Sequence, residues 1–79
     1  MLTDRRVIEE WLVRMDITNY TIDSDLGVVN VNGNVVLRGR RLRTLPIQFG
    51  IVTGSFYCEY NQLTTLIGAP LFTGGTFLC

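Results

Sequence analysis

Histidine and lysine are absent from this chain, and charge of either sign nearly disappears from its second half. The first absence removes the side chain that most often moves protons near neutral pH. It also leaves Cys58 and Cys79 without an imidazole to activate either thiol. A zinc site would need ligands beyond those two cysteines, and no carboxylate or histidine motif supplies them. No glycine-rich phosphate loop is present, and the carboxylate pair Asp23 and Asp25 falls in a turn-rich connector. The expectation is therefore a non-enzymatic protein with no metal and no cofactor. Long apolar runs are missing too. Nothing reaches the roughly 18 residues that span a bilayer, and Asp4, Glu9 and Glu10 interrupt the N-terminus, unlike a secretory signal. Two cysteines in a chain without a signal favour reduced thiols in a cytosol-like compartment.

What is present is short, apolar and unevenly charged. The 79 residues make one domain, 47% hydrophobic and 18% charged, with a formal charge of zero. Typical domains carry about 25% charged residues. Zero net charge gives no global attraction to nucleic acid or a membrane surface. All seven basic residues are arginines, and from Thr44 to Cys79 the only charged side chain is Glu59. A soluble monomer interleaves charge over its surface, so this half reads as partly covered by another chain.

An internal echo dominates that half. Gly33, Gly54 and Gly75 recur every 21 residues, as do Leu42 and Leu63, Thr44 and Thr65, and Leu45 and Leu66. Val35, Phe56 and Phe77 match in type, and so do Leu37, Cys58 and Cys79. A fixed period of about 20 to 29 residues marks units that bury their cores against one another. The pattern predicts an α+β solenoid: an N-terminal helix and β-hairpin cap, then about two and a half 21-residue units. Residues 1–16 would be the capping helix, 17–32 the connector and cap strand, and 33–79 the repeats.

The elements follow from local chemistry. Val7, Ile8, Trp11, Leu12 and Met15 form one apolar stripe at helical spacing. Thr3 is the expected N-cap of a helix over residues 3–15, with Asp4 in the first turn. Tyr20-Thr21-Ile22 reads as a short strand, followed by the turn formers Asp23, Ser24, Asp25 and Gly27. Asn32-Gly33 between Val28–Val31 and Asn34–Leu37 predicts a tight antiparallel hairpin. Within the repeats, Val35, Leu37, Phe56, Cys58, Phe77 and Cys79 should face the core, closed by Leu42, Leu45, Leu63 and Leu66. The alternate positions, Asn34, Val36, Arg38, Ser55, Tyr57, Glu59, Thr76 and Leu78, should line the outer face. Cys58 and Cys79 then stack as a ladder of buried thiols, at a separation that leaves a disulfide open.

The run Phe56-x-Cys58-x-x-Asn61-x-Leu63 resembles the leucine-rich-repeat pattern L-x-L-x-x-N-x-L. The longer stretch from Gly54 to Pro70, the segment Gly74–Cys79 and the upstream Tyr20-Thr-Ile and Val29–Val35 resemble short-period repeats of small tailed-phage and prophage proteins. The resemblance covers residues 17–79 and implies a repeat fold and a viral origin, hence the cytoplasm of a bacterial host cell. It also implies that Asn61 bonds backbone groups in its turn. The first unit departs from the pattern, with Arg40 in the asparagine position, which frees Arg40 to face solvent.

Two surfaces are candidates for binding. Val36, Tyr57 and Leu78 align on the outer face beside Arg38 and Glu59, the composition of an interface hot spot. Arg38, Arg40, Arg41 and Arg43 crowd four guanidiniums into six residues, suited to carboxylates or phosphates. A solvated turn, with Arg38 paired to Glu59 across strands, explains the same residues. The second surface is the strand Thr76, Phe77, Leu78 and Cys79, an uncharged edge open to another chain. The leading expectation is a protein-binding module of phage origin that inhibits or redirects a host or phage protein, for example an inhibitor of a defence system. The alternative is a structural component that self-assembles as a homodimer or larger homo-oligomer through that edge. A third reading, a phosphate or nucleic-acid binder using the arginines, is disfavoured by the zero net charge.

Overall fold

The computed structural model describes residues 1–23 and 25–79; the expected turn residue Ser24 lies outside them. Helix α1 runs Arg5–Arg14. Asp4, rather than Thr3, is its N-cap: the Asp4 carboxylate accepts from the Arg6 and Val7 backbone N–H groups at 2.9 and 3.4 Å. A carboxylate suits this position because it answers both the unpaired donors and the helix dipole. The helix buries Ile8, Trp11 and Leu12 in the core; of the rest of the expected stripe Met15 is half-buried and Val7, at the stripe's margin, is exposed.

Among the described residues seven strands follow: β1 Tyr20–Ile22, β2 Val28–Val31, β3 Val35–Val36, β4 Gln48–Val52, β5 Phe56–Tyr57, β6 Phe72–Thr73 and β7 Phe77–Leu78. They form a four-stranded sheet ordered β1-β2-β4-β6 and a three-stranded sheet ordered β3-β5-β7. Among the described residues the β1–β2 pair is antiparallel and the other four pairs are parallel. The echo is thus a register. Val35 pairs with Phe56 and Phe56 with Phe77, while Ile51 pairs with Phe72.

The expected leucine-rich-repeat-like solenoid is corrected by this architecture. The chain is a small α+β domain with one helix, one mixed sheet and one parallel sheet among the described residues. Its extents of 30 × 24 × 20 Å are those of a compact body rather than an elongated array. A leucine-rich repeat supplies one strand per period. Here each period contributes to two sheets, because Gln48–Val52 and Phe72–Thr73 are strands where the sequence suggested a glycine- and proline-containing return.

The predicted hairpin at Asn32-Gly33 is also corrected. β2 pairs with β1, through a turn in which the Asp23 carboxylate accepts from the Asp25 and Leu26 N–H groups. Gly33 instead carries the chain around a corner from one sheet to the other. Its N–H donates to Thr53 Oγ1 at 2.8 Å, and its carbonyl accepts from the Gly54 N–H at 2.9 Å. The Val31 carbonyl, which would close a two-residue hairpin on the Asn34 N–H, accepts instead from the Thr53 N–H at 3.0 Å.

The stacked turns are tied by side chains bonding to backbone 21 residues on. Asn30 Oδ1 accepts from Ile51 N–H at 2.7 Å, Asn34 Oδ1 from Ser55 N–H at 2.8 Å, and Ser55 Oγ from Thr76 N–H at 2.9 Å. The β2–β4 pairing shifts register between Val29 and Val31. The Asn30 carboxamide packs so close to Gly50 there that a Cβ at Gly50 would lie only 2.8 Å from Val28 Cγ1 as well. Gly54 is constrained in the same way: a Cβ would sit 2.7 Å from the Gly33 carbonyl oxygen.

An aromatic row runs through the core. Trp11 and Phe49 lie 6.3 Å apart, Phe49 and Phe56 meet edge to face at 5.2 Å, and Phe56 and Phe77 stack at 5.4 Å. Such pairs add to simple burial. Gly54→Ala should lower stability by about 1–3 kcal/mol, because rigid backbone rather than a mobile side chain opposes the new methyl. Urea unfolding of the two proteins measures it, and equal midpoints would refute the close stacking of these turns.

Candidate functional site

The outer face of the three-stranded sheet assembles the first predicted surface. Parallel register sets Val36 beside Tyr57 and Tyr57 beside Leu78. Arg38, just beyond β3, reaches across to Glu59 beyond β5, with Nε 3.0 Å from Oε2. The same guanidinium lies over the Tyr57 ring, 4.2 Å from its centroid, a cation–π contact. Burial pushes the Glu59 carboxyl up. The backbone N–H of Glu59 and the hydrogen bond and charge of Arg38 outweigh that effect, so Glu59 titrates below the ordinary carboxylate value. Its other oxygen, Oε1, is buried without a hydrogen-bond partner among the described residues.

The arginine cluster is divided between structure and solvent. Arg38 belongs to the Glu59 pair. Arg40 Nη2 lies 3.2 Å from Asp16 Oδ2, so Arg40 ties the turn to the segment just past the helix C-cap Met15 rather than facing solvent alone. Arg41 and Arg43 are exposed and form no ion pair among the described residues. Arg41 also has a positive φ of 58°, which fixes the turn's course.

Asn61 organises this region. Its Oδ1 accepts from the Arg40 and Leu42 N–H groups at 2.9 and 3.0 Å. Its Nδ2 donates to the carbonyls of Leu37, Cys58 and Glu59 at 2.7, 2.9 and 3.2 Å. One side chain thereby holds the ends of β3 and β5 and the arginine turn in place. The position expected to bond turn backbone does so, and it compensates for Arg40 in the preceding turn.

The second predicted surface is more open than the sequence suggested. Phe77 and Cys79 were expected to face the core, yet Phe77 is 38% exposed and Cys79 is exposed. Leu66, expected to close the core, is exposed as well. Their inward counterparts one turn earlier, Phe56, Cys58 and Leu45, are buried. The difference is positional: β6 and β7 are each the last strand of their sheet, so one flank of each has no neighbour. Leu71, Phe72 and Ile67 add to this exposed apolar end at 80%, 60% and 67%. Sequence reasoning named Thr76–Cys79 but missed Leu71 and Phe72. Their signal was the same charge-free stretch, read as loop. Beside it, Cys58, Tyr60, Asn61, Leu63, Leu66 and Cys79 line a depression of about 360 Å³.

Cys58 and Cys79 are joined through their sulfurs, with Cα atoms 4.4 Å apart, rather than standing as separate thiols. The parallel register that places them side by side is the cause. No group of three or more potential metal ligands occurs among the described residues. No helix among them is long and apolar enough to cross a membrane.

No family model, curated protein or solved structure matches the chain.

The Arg38–Glu59 pair predicts a pH dependence. A carboxyl held below its unfolded value stabilises the fold above the unfolded value and loses that effect as pH falls through the folded one. Glu59→Gln should therefore lower the melting temperature at neutral pH, and the gap should close as pH falls below about 4.5. Thermal melts across that range test it; a gap unchanged in acid would show that the pair contributes nothing.

Proposed function

We propose that this chain is a non-enzymatic protein-binding module that engages its partner at the open end formed by β6 and β7. One observation carries the reading. The last strands of both sheets leave an edge unpaired, and the side chains around those edges are apolar and uncharged. Unpaired backbone groups beside exposed large hydrophobics favour strand addition by another chain. Leu78 continues the surface onto the outer face with Val36 and Tyr57, so edge and face form one binding area. A host or phage protein as the partner rests on the resemblance to phage repeats alone.

Catalysis has no support in the residue chemistry, which offers neither histidine nor a cluster of titratable groups at this end. The arginine turn is the weaker binding candidate, since Arg38 and Arg40 are each held by a carboxylate of the same chain.

Selection of extended peptides from a random library against the chain tests the reading. Bound peptides should be apolar and uncharged, and should slow hydrogen exchange at Phe77 and Cys79. Leu78→Lys should weaken their binding at least tenfold, about 1.4 kcal/mol, while Arg41→Glu with Arg43→Glu leaves it unchanged. Acidic peptides lost on the arginine changes would instead place binding at the turn.

A further inference from the structure

We propose that the occupant of the open end is a second copy of this chain, paired antiparallel at β7 about a two-fold axis. This rests on the reading of that end as a binding surface and names its partner.

The backbone supplies the first argument. Val35 and Leu37 donate to the Ser55 and Tyr57 carbonyls, and one turn later Phe56 and Cys58 donate to the Thr76 and Leu78 carbonyls. The next residues in that series are Phe77 and Cys79, whose N–H groups point outward to where a further strand would lie. A strand residue directs its N–H and its carbonyl to the same side. Phe77 therefore presents a donor and an acceptor together. Two such residues facing each other across a two-fold axis exchange both bonds, so the edge is complementary to itself.

Charge supplies the second. No charged side chain occurs from Tyr60 to Cys79. Two identical ends meeting across a two-fold axis place like groups near like, which penalises any charge near the axis and leaves an uncharged apolar end without that penalty. A partner with an ordinary charged surface would have to bury its charges against this end unpaired.

The opposite end of the molecule selects closure over a filament. There the four-stranded sheet is finished by the antiparallel strand β1, and α1 inserts Ile8, Trp11 and Leu12 into the core. β3 is the terminal strand of the other sheet there, so parallel head-to-tail stacking would continue that sheet but not the one that β1 ends, whereas pairing of equal ends asks nothing of β1 or β3. In the dimer, antiparallel register about Phe77 sets Thr76 of each copy opposite Leu78 of the other on the outer face.

Light scattering on the intact chain at about 100 µM, well above a micromolar dissociation constant, should give twice the 8.9 kDa monomer mass, with and without reductant. Thr76→Lys with Leu78→Lys, and separately Thr76→Glu with Leu78→Glu, should each give a folded monomer by circular dichroism. An equimolar mixture should restore the dimer mass, because unlike charges then face each other. The single changes Thr76→Lys and Thr76→Glu carry the same comparison if the double variants lose β7. A wild-type monomer at this concentration overturns the proposal, as does a dimer that both charge variants leave intact. A monomer that still binds selected peptides at Phe77 overturns the second copy alone and leaves the open end a binding surface for another protein.

Discussion

The two sheets from β3 onward depend on one constraint, the parallel pairing of segments 21 residues apart. Once Val35, Phe56 and Phe77 share a register, side chains of like kind stack on one another and their backbones approach closely. The glycines at the corners, the asparagine and serine side chains that bond backbone in the next turn, and the stacked phenylalanines all follow from that repeat. Asn61 shows the constraint at its most concentrated, with five backbone bonds gathered on one carboxamide. Because carbonyls and N–H groups at a turn have few other partners, losing such a side chain leaves several of them unsatisfied.

The same constraint explains where surface is left over. Parallel pairing passes each strand's unsatisfied groups to the next strand. At one end the four-stranded sheet finishes in the antiparallel strand β1 and the three-stranded sheet in β3, and the helix adds its tryptophan to the aromatic row. At the other end β6 and β7 lack a neighbour on one flank among the described residues, and the residues that would be core there are half exposed. A domain this small has little apolar burial to spare, so the association proposed for this end would bury apolar surface that the fold alone leaves open. The arginine turn offers no comparable incentive, since two of its four guanidiniums already meet carboxylates within the chain.

Much of this was legible residue by residue. The apolar stripe of α1, the outward line of Val36, Tyr57 and Leu78, the Arg38–Glu59 pair and the role of Asn61 were all readable from spacing and chemistry. The second strand of each period was not, because Gln48–Val52 and Phe72–Thr73 carry glycine, proline or threonine neighbours that mimic a loop. The Asn32-Gly33 turn misled for a related reason. The dipeptide specifies a change of direction, while the partner of the following strand decides whether that change is a hairpin or a corner.

The sequence by itself determined the period, the positions of the corners, the absence of histidine chemistry and the loss of charge toward Cys79. These are properties of residue type and spacing, which local sterics and electrostatics read directly. Only the tertiary structure decided that the period serves two sheets, that Asp4 rather than Thr3 caps the helix, that Cys58 and Cys79 are joined, and that Phe77 is half open. Each depends on which segments lie side by side, and that follows from the packing of the whole chain rather than from any one stretch of it.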